Sequence, residues 1–548
     1  MEYTVTNIPA CLRVCTLLVL VSLSAACQAP TDQATPAGSD ESTLGTVHFL
    51  TTCSTEAQPQ FNRGVALLHS FWFGEAIDTF NEVLELDPTC AMAEWGIAKA
   101  HWGNPLGSSG PKRRPEILEN GWTAVERAKA LRAKSERERD YIAAVSTLYA
   151  DHSTTSDGSR SLAYEEAMRA LVTKYSDDTE AAIFYGMALN GTADPNDKTY
   201  KNQLIAGEIL ETAFEGQPNH PGIAHYLIHS YDTPALADRA IEAARRYAAI
   251  APAAPHALHM PSHTFTRLGF WQESIDTNLK SADAALADDS APEALHALDY
   301  MIYGYLQTGQ DAAAKGVIDR VNALRATIDP KSGYGLAGFY AVAAIQARYM
   351  LERGDWAGAA TLEVLRTPTP FVDAIGYFAR AIGAARQGDQ NSAQGDIAQL
   401  VRARDALGGN SYWATKVDIQ REAAEAWANF AEGNTDVALT MMRNAADRED
   451  LTEKSGISPG PIAPARELLG QMLLEAGRHD AALEAFEVTT TEEPGRFRGI
   501  YGAARAAELG GKTALANQYY SALLEVAAKA DEDGRPELSE ARAFVASN

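Results

Sequence analysis

A period of 34 residues constrains this 548-residue chain more than any other feature of it. In residues 57–90, Gly64, Leu67, Ala76, Phe80 and Pro88 take positions 8, 11, 20, 24 and 32 of such a unit, and in residues 463–496 Gly470, Leu473, Ala482, Phe486 and Pro494 take the same positions. Each position has a physical reason. Small residues let the two helices of a hairpin approach closely, large ones fill the gap between hairpins, and proline stops the second helix. One such unit cannot bury its apolar face alone, so the period predicts a stack of hairpins. Between the two full matches the pattern is looser but continuous. Hairpins are expected around Tyr185-Gly186, Pro221 to Ile250, Pro255 to Ala285, Leu298 to Leu324, Gly338 to Val364 and Tyr377 to Ala406, then at Trp413 to Ala445 and Tyr501 to Ala527. No stretch reads as a strand-rich domain. Gly103 to Pro115 and Asp151 to Ser161 read as loops, and no Gly-Lys-Ser/Thr follows the glycines of the first to make it a phosphate loop. The alternating charges of Glu136 to Asp140 read as a solvated helix face.

The occupied positions resemble the tetratricopeptide repeat, which implies an all-α, right-handed superhelix of roughly ten or eleven helix pairs. Ala91 to Gly96, His225 to Asp232, Pro255 to Gly269, Ser458 to Gly470 and Arg496 to Leu509 are similar to a largely uncharacterised branch of exported bacterial proteins of this kind. The resemblance covers most of the mature chain and implies a fold and an export habit, with no established reaction. This chain reads Lys454-Ser455-Gly456 where that branch is expected to carry Lys-His, so no role of a C-terminal histidine transfers to it.

With 47 Lys+Arg against 72 Asp+Glu, the net charge of −25 argues against nucleic acid as a partner and against an anionic membrane surface. Membrane attachment is expected only through the N-terminus. Arg13, the apolar run Thr16 to Leu23 and Ser24-Ala25-Ala26 read as an export signal over residues 1–26. Leu23 to Cys27 resembles a bacterial lipoprotein box with Cys27 as the lipidated residue; ordinary cleavage after Ala26 is the alternative. Residues 27–52 then form the anchor cysteine and a disordered tether, followed by one hairpin array over 53–312 that carries a histidine cluster and a second over 313–548. The location implied is periplasm-facing. Cys53 and Cys90 flank the first hairpin at its open end, so a disulfide and two buried free thiols are both open readings.

Seven of the twelve histidines lie between His220 and His296. His225, His229 and Asp232 are spaced i, i+4, i+7, and His256, His259 and His263 are spaced i, i+3, i+7, so each trio shares a helix face. His225 to His259 and His229 to His263 are both 34 residues apart, which puts the pairs at equivalent positions of successive repeats. Neighbouring first helices would bring four imidazoles and Asp232 onto one patch. Facing helices hold zinc, iron, copper or nickel with such ligands, at a mononuclear or a binuclear site. His296 adds a further ligand, Asp299 and Tyr300 an orienting or proton-transfer group, and Tyr226 and Tyr231 pocket walls. Hydrogen-bonded packing histidines and a metal-free polar pocket are the competing readings. Neither trio carries the Glu of a His-Glu-x-x-His zinc helix.

Pro261 should kink the helix that carries His259 and His263. His69, Phe71, Trp72, Phe73, Trp95, His101 and Trp102 read as core, with an aromatic groove as the alternative. The sequence therefore suggests an exported binding protein that offers a groove to a peptide, protein or small ligand. The second reading is a metal-dependent oxidoreductase or hydrolase, and the third a structural scaffold.

Overall fold

The computed structural model describes residues 43–106, 115–328, 335–408, 411–532 and 534–548, so the expected export signal over 1–26, Cys27 and most of the loop expected after Gly103 lie outside the described residues. The fold is all-α: helical hairpins follow one another from Gln58 to Val526, a last helix covers Pro536–Ser547, and no strand occurs among the described residues. No described helix is long and apolar enough to cross a membrane.

The repeat positions do the packing expected of them. A Cβ on Gly64 or on Gly96 would meet the ring of Phe80 at 2.7 and 2.4 Å, and a Cβ on Gly470 or Gly502 would meet Phe486 at 2.8 and 2.3 Å. Each phenylalanine thus fills the gap between its own hairpin and the next, and only glycine leaves room for it. Buried apolar side chains form two clusters, one running from Leu44 to Phe265 and the other from Ile275 to Ala541. They part between Phe265 and Ile275, so the boundary expected after residue 312 falls inside the second cluster, where Val317, Ile318 and Val321 pack with Leu298 and Ile302. That helix pair shares its apolar face with its neighbours on both sides and leaves no seam.

Three local expectations need correction. The tether assigned to residues 27–52 does not extend over residues 43–52, the part of it that is described. Leu44, Val47 and Phe49 are buried, the last two alternating with exposed neighbours, and Phe49 packs against Phe61, Trp95 and Tyr141. Glu138 in the charged run 136–140 is not solvated; it is buried and accepts hydrogen bonds from the backbone N–H and hydroxyl of Thr52. The loop before residue 161 is shorter than expected because Ser156 caps a helix that starts at Asp157. Beside these, Cys53 and Cys90 are joined in a disulfide, tying the extended segment to the start of the helix Ala91–Trp102.

Candidate metal centre

Four stretches of helix converge where the two apolar clusters meet. Pro221–Ser230 supplies His225 and His229, Pro255–His259 supplies His256 and His259, Pro261–Leu268 supplies His263, and Ala291–Gln307 supplies His296. Proline sits in the first turn of each, where its missing N–H costs no hydrogen bond. Pro261 splits its helix after His259, as the sequence predicts.

The six histidines form two sets rather than one patch: His225, His229 and His256, and His259, His263 and His296. Within each set the ligand atoms lie within 4.8 Å of one another. The sets adjoin, with ring centroids 5.6 Å apart for His229 and His263 and 6.0 Å for His256 and His259.

The hydrogen bonds settle which ring nitrogens are free. His225 Nδ1 donates to the carbonyl of His69 at 2.6 Å, and His263 Nδ1 donates to the carboxylate of Asp232 at 2.9 Å. His259 Nδ1 donates to Asn278 Oδ1 at 2.7 Å; the amide is oriented by its own N–H donating to Ser274 O. A neutral imidazole with its proton on Nδ1 carries a lone pair on Nε2. Nε2 of His259 and Nε2 of His263 therefore face each other at 3.1 Å as two acceptors. Tyr300 comes within 3.4 Å of His263 Nε2, yet its one proton is claimed by the carbonyls of Ser458 and Gly456 at 3.0 and 3.2 Å. In the other set His225 Nε2 and His229 Nε2 are also 3.1 Å apart. One nitrogen in each set, His256 Nε2 in the first and His296 Nδ1 in the second, is buried with no hydrogen-bond partner.

Protonation does not relieve this crowding. Burial, then the neighbouring imidazoles, hold His225, His229, His256, His259 and His296 well below the usual histidine range. His263 is lowered too, by burial, against the pull of Asp232. The buried ammonium of Lys454 adds to the effect at His229, His259, His263 and His296. A cation that brings no proton is what such a cluster accepts, and Nδ1–H bonds to carbonyl and carboxylate are how metal-binding imidazoles are oriented.

The other residues expected at the site divide. Asp232 is no ligand: its carboxylate is shared by His263 Nδ1, Arg267 and Lys454, at 2.9, 3.0 and 2.7 Å. Burial works to raise its pKa, but Lys454 and Arg267 hold it well below the carboxylate range. Asp299 does not orient the histidines either. It pairs with Arg348 at 3.2 Å, both side chains fully buried, and burial pushes its carboxyl up to about 6. Tyr300 is at the centre. Tyr226 meets the ring of His225 at 5.2 Å but sends its hydroxyl to His69 Nδ1. Tyr231 turns its hydroxyl away, to Glu211 at 2.8 Å.

Sequence patterns missed three contributors. Asn278, Lys454 and Arg267 act through His259 and Asp232, with Lys454 arriving from 222 residues away. Phe71, read from the sequence as core or groove wall, lines the cavity beside the first set. It takes a left-handed φ of 57°, uncommon for a bulky residue, and its ring lies 4.4 Å from His225, 5.4 Å from His256 and 6.0 Å from His229. The pair of Trp95 and Trp102 is core, as expected. A third group, His69, His220 and Glu180, is fully buried, but Glu180 gives one oxygen to each imidazole at 3.1 and 2.9 Å, which leaves it satisfied as packing.

A cavity of about 290 Å³ opens on the centre, reached by His229, His256, His263 and His296 and walled by Phe71, Phe73, Glu293, Leu336 and Trp413 among others.

No family model matches the sequence. Over 222 residues the chain is 30% identical to a UPF0597 protein of Nitratidesulfovibrio vulgaris (strain DSM 19637 / Miyazaki F). That match covers 38% of this chain and 48% of the other, so the chain spans about half the length of the curated relative it matches. Among solved structures, one titled "Structure of Naa15/Naa10 bound to HypK-THB" aligns over 90% of this chain and 91% of that one, at 13% identity and a TM-score of 0.27.

Proposed function

We propose that this chain is an exported metal-binding protein whose helical repeats hold two adjoining tri-histidine sets. The observation that carries the reading is the 3.1 Å approach of His259 Nε2 and His263 Nε2, each a lone pair by its Nδ1 hydrogen bond, in surroundings that oppose protonation. Neutral imidazole sets suit zinc, copper, iron or nickel, and three protein ligands leave a coordination position for a further molecule. The first set would be His225, His229 and His256, and the second His259, His263 and His296. Asp232, Asn278 and the His69 carbonyl orient three of them.

The cavity favours a second reading, a metal-dependent enzyme of the oxidoreductase or hydrolase class, because it gives a small molecule access to four of the six imidazoles. Export, with lipid attachment at Cys27, rests on the signal-like residues 1–26 and is in keeping with the Cys53–Cys90 disulfide. Elemental analysis tests the metal reading, on mature protein purified without a histidine tag or chelator, beside a His229→Ala/His263→Ala variant whose helicity is checked by circular dichroism. The expected result is about one or two ions per chain in the parent and none in the folded variant. A parent that takes up no zinc, copper, iron or nickel on reconstitution would overturn the reading.

A further inference from the structure

The cavity beside the histidines is larger than a metal centre needs. One water needs about 10–15 Å³ of such space, so two ions and their waters leave most of the roughly 290 Å³ over. The surplus is lined unlike the centre itself. Phe71 and Phe73 stack at 5.3 Å, and Trp413, held face to face on Phe371 at 3.8 Å, provides another fixed aromatic surface. Leu336 adds aliphatic wall. Aromatic planes held in place on ring partners make a slot that favours a flat guest, since ring pairs gain beyond the area they bury. The left-handed backbone of Phe71 belongs to the same argument, because strain of that kind persists where the surroundings require the side chain in one place.

The polar lining narrows the guest further. Asn104, Glu293 and Ser455 share the wall with the four imidazoles. A carboxyl in an apolar cavity needs a hydrogen-bond donor, which an all-hydrocarbon guest lacks. A charged guest would meet the burial that already pushes the Glu293 carboxyl up to about 7. An uncharged hydroxyl on a ring avoids that desolvation, can hydrogen-bond the carboxyl in either protonation state, and its oxygen can also approach a metal.

We propose that this cavity binds one small, uncharged aromatic molecule bearing a hydroxyl group, with the ring in the Phe71, Phe73 and Trp413 slot and the hydroxyl at Glu293 and the histidine sets. The proposal rests on the metal reading for its biological sense, but the cavity is there in the protein's own side chains and is tested separately.

The probe is phenol, titrated calorimetrically into the full mature chain as purified, with cyclohexanol as the non-planar control and elemental analysis run on the same samples. Saturable binding of one phenol per chain, with cyclohexanol weaker by about tenfold, is expected from loss of ring stacking. Leu336→Trp should fill the slot and abolish binding while the metal content stays that of the parent. Glu293→Gln keeps the shape and should weaken phenol by about tenfold, as expected for the loss of one hydrogen bond to the carboxyl. No saturable phenol binding in a parent of normal helicity, or binding untouched by Leu336→Trp, would overturn the proposal. Neither result alters the ion count, whereas a metal-free parent that binds phenol would remove the metal reading and leave the cavity standing.

Discussion

At the scale of single residues, Asp232 does the most with the fewest atoms. Its two oxygens orient His263 and also balance two buried cations, so Asp232→Asn keeps the shape and leaves Arg267 and Lys454 short of a counter-charge. Breaking a buried pair from one side costs about 3–5 kcal/mol, and an altered orienting partner lowers metal affinity by roughly 10- to 100-fold. Chemical denaturation and competition with a chromophoric chelator should show both losses together; unchanged affinity would mean that Asp232 does not orient a ligand. Asp299 gives a pH signature instead. Its folded-state value of about 6 lies above the ordinary 3.8, because burial outweighs Arg348. Between those values the folded chain keeps a proton that the unfolded chain has released. This carboxyl's contribution to stability is therefore full below about 4 and is lost as pH rises through 6. Asp299→Asn should remove that part of the slope in melting temperature against pH, and an unaltered slope would show that the carboxyl is ionised throughout. The contrast between the two aspartates was not legible in the sequence. Both stand near histidines at helical spacing, and what separates them is an arginine 49 residues away from one and a lysine 222 residues away from the other.

At the scale of elements, the 34-residue register was legible because it rests on steric rules that act between neighbouring hairpins. Gly64, Phe80 and Gly96 lock one junction, and Gly470, Phe486 and Gly502 repeat the lock near the other end. The same register placed His225 with His259 and His229 with His263 on successive helices, and the structure brings all four together. It did not give the division into two sets. That depends on His256 turning to one pair and His296 to the other, although His256 shares its short helical stretch with His259 of the second set. Nor did it foresee that Leu44, Val47 and Phe49 would pack, since a segment rich in small polar residues reads as a tether until a groove is there to receive its few apolar side chains. The lock itself makes a firm prediction. Phe80→Ala leaves a void between two glycines that cannot fill it, and should cost about 3–5 kcal/mol in urea unfolding. A loss under about 1 kcal/mol would mean that the hairpins close up around the missing ring.

For the described chain as a whole, the decisive departure from a simple stack is contact between repeats far apart in sequence. In a solenoid each unit touches its neighbours only, and stability is a sum of local terms. Here Arg496, fully buried, bonds Glu467 at 2.9 Å, Glu352 at 2.7 Å and the hydroxyl of Tyr303 at 2.8 Å, drawing together helices up to 193 residues apart. Arg348 repeats the device, bonding Asp299 and the carbonyls of Gly460 and Pro461. Trp271 donates to Gly495 O, and Arg535 pairs with Asp311. These links hold the segment around Lys454 to Pro461 over the histidines, because the groups that bond His263's partner Asp232 and Tyr300 lie in it. Closure of this kind makes distant repeats share one opening event. Hydrogen exchange should therefore find the helices Ala291–Gln307, Gly335–Glu352 and Ala465–Glu475 protected to a common degree rather than graded along the chain. Arg496→Ala strands two buried carboxylates, at a cost of about 3–5 kcal/mol, and should split that common opening so that 465–509 exchanges ahead of 291–352. If the two regions still exchange in step in the variant, the coupling runs through apolar packing and not through the arginine.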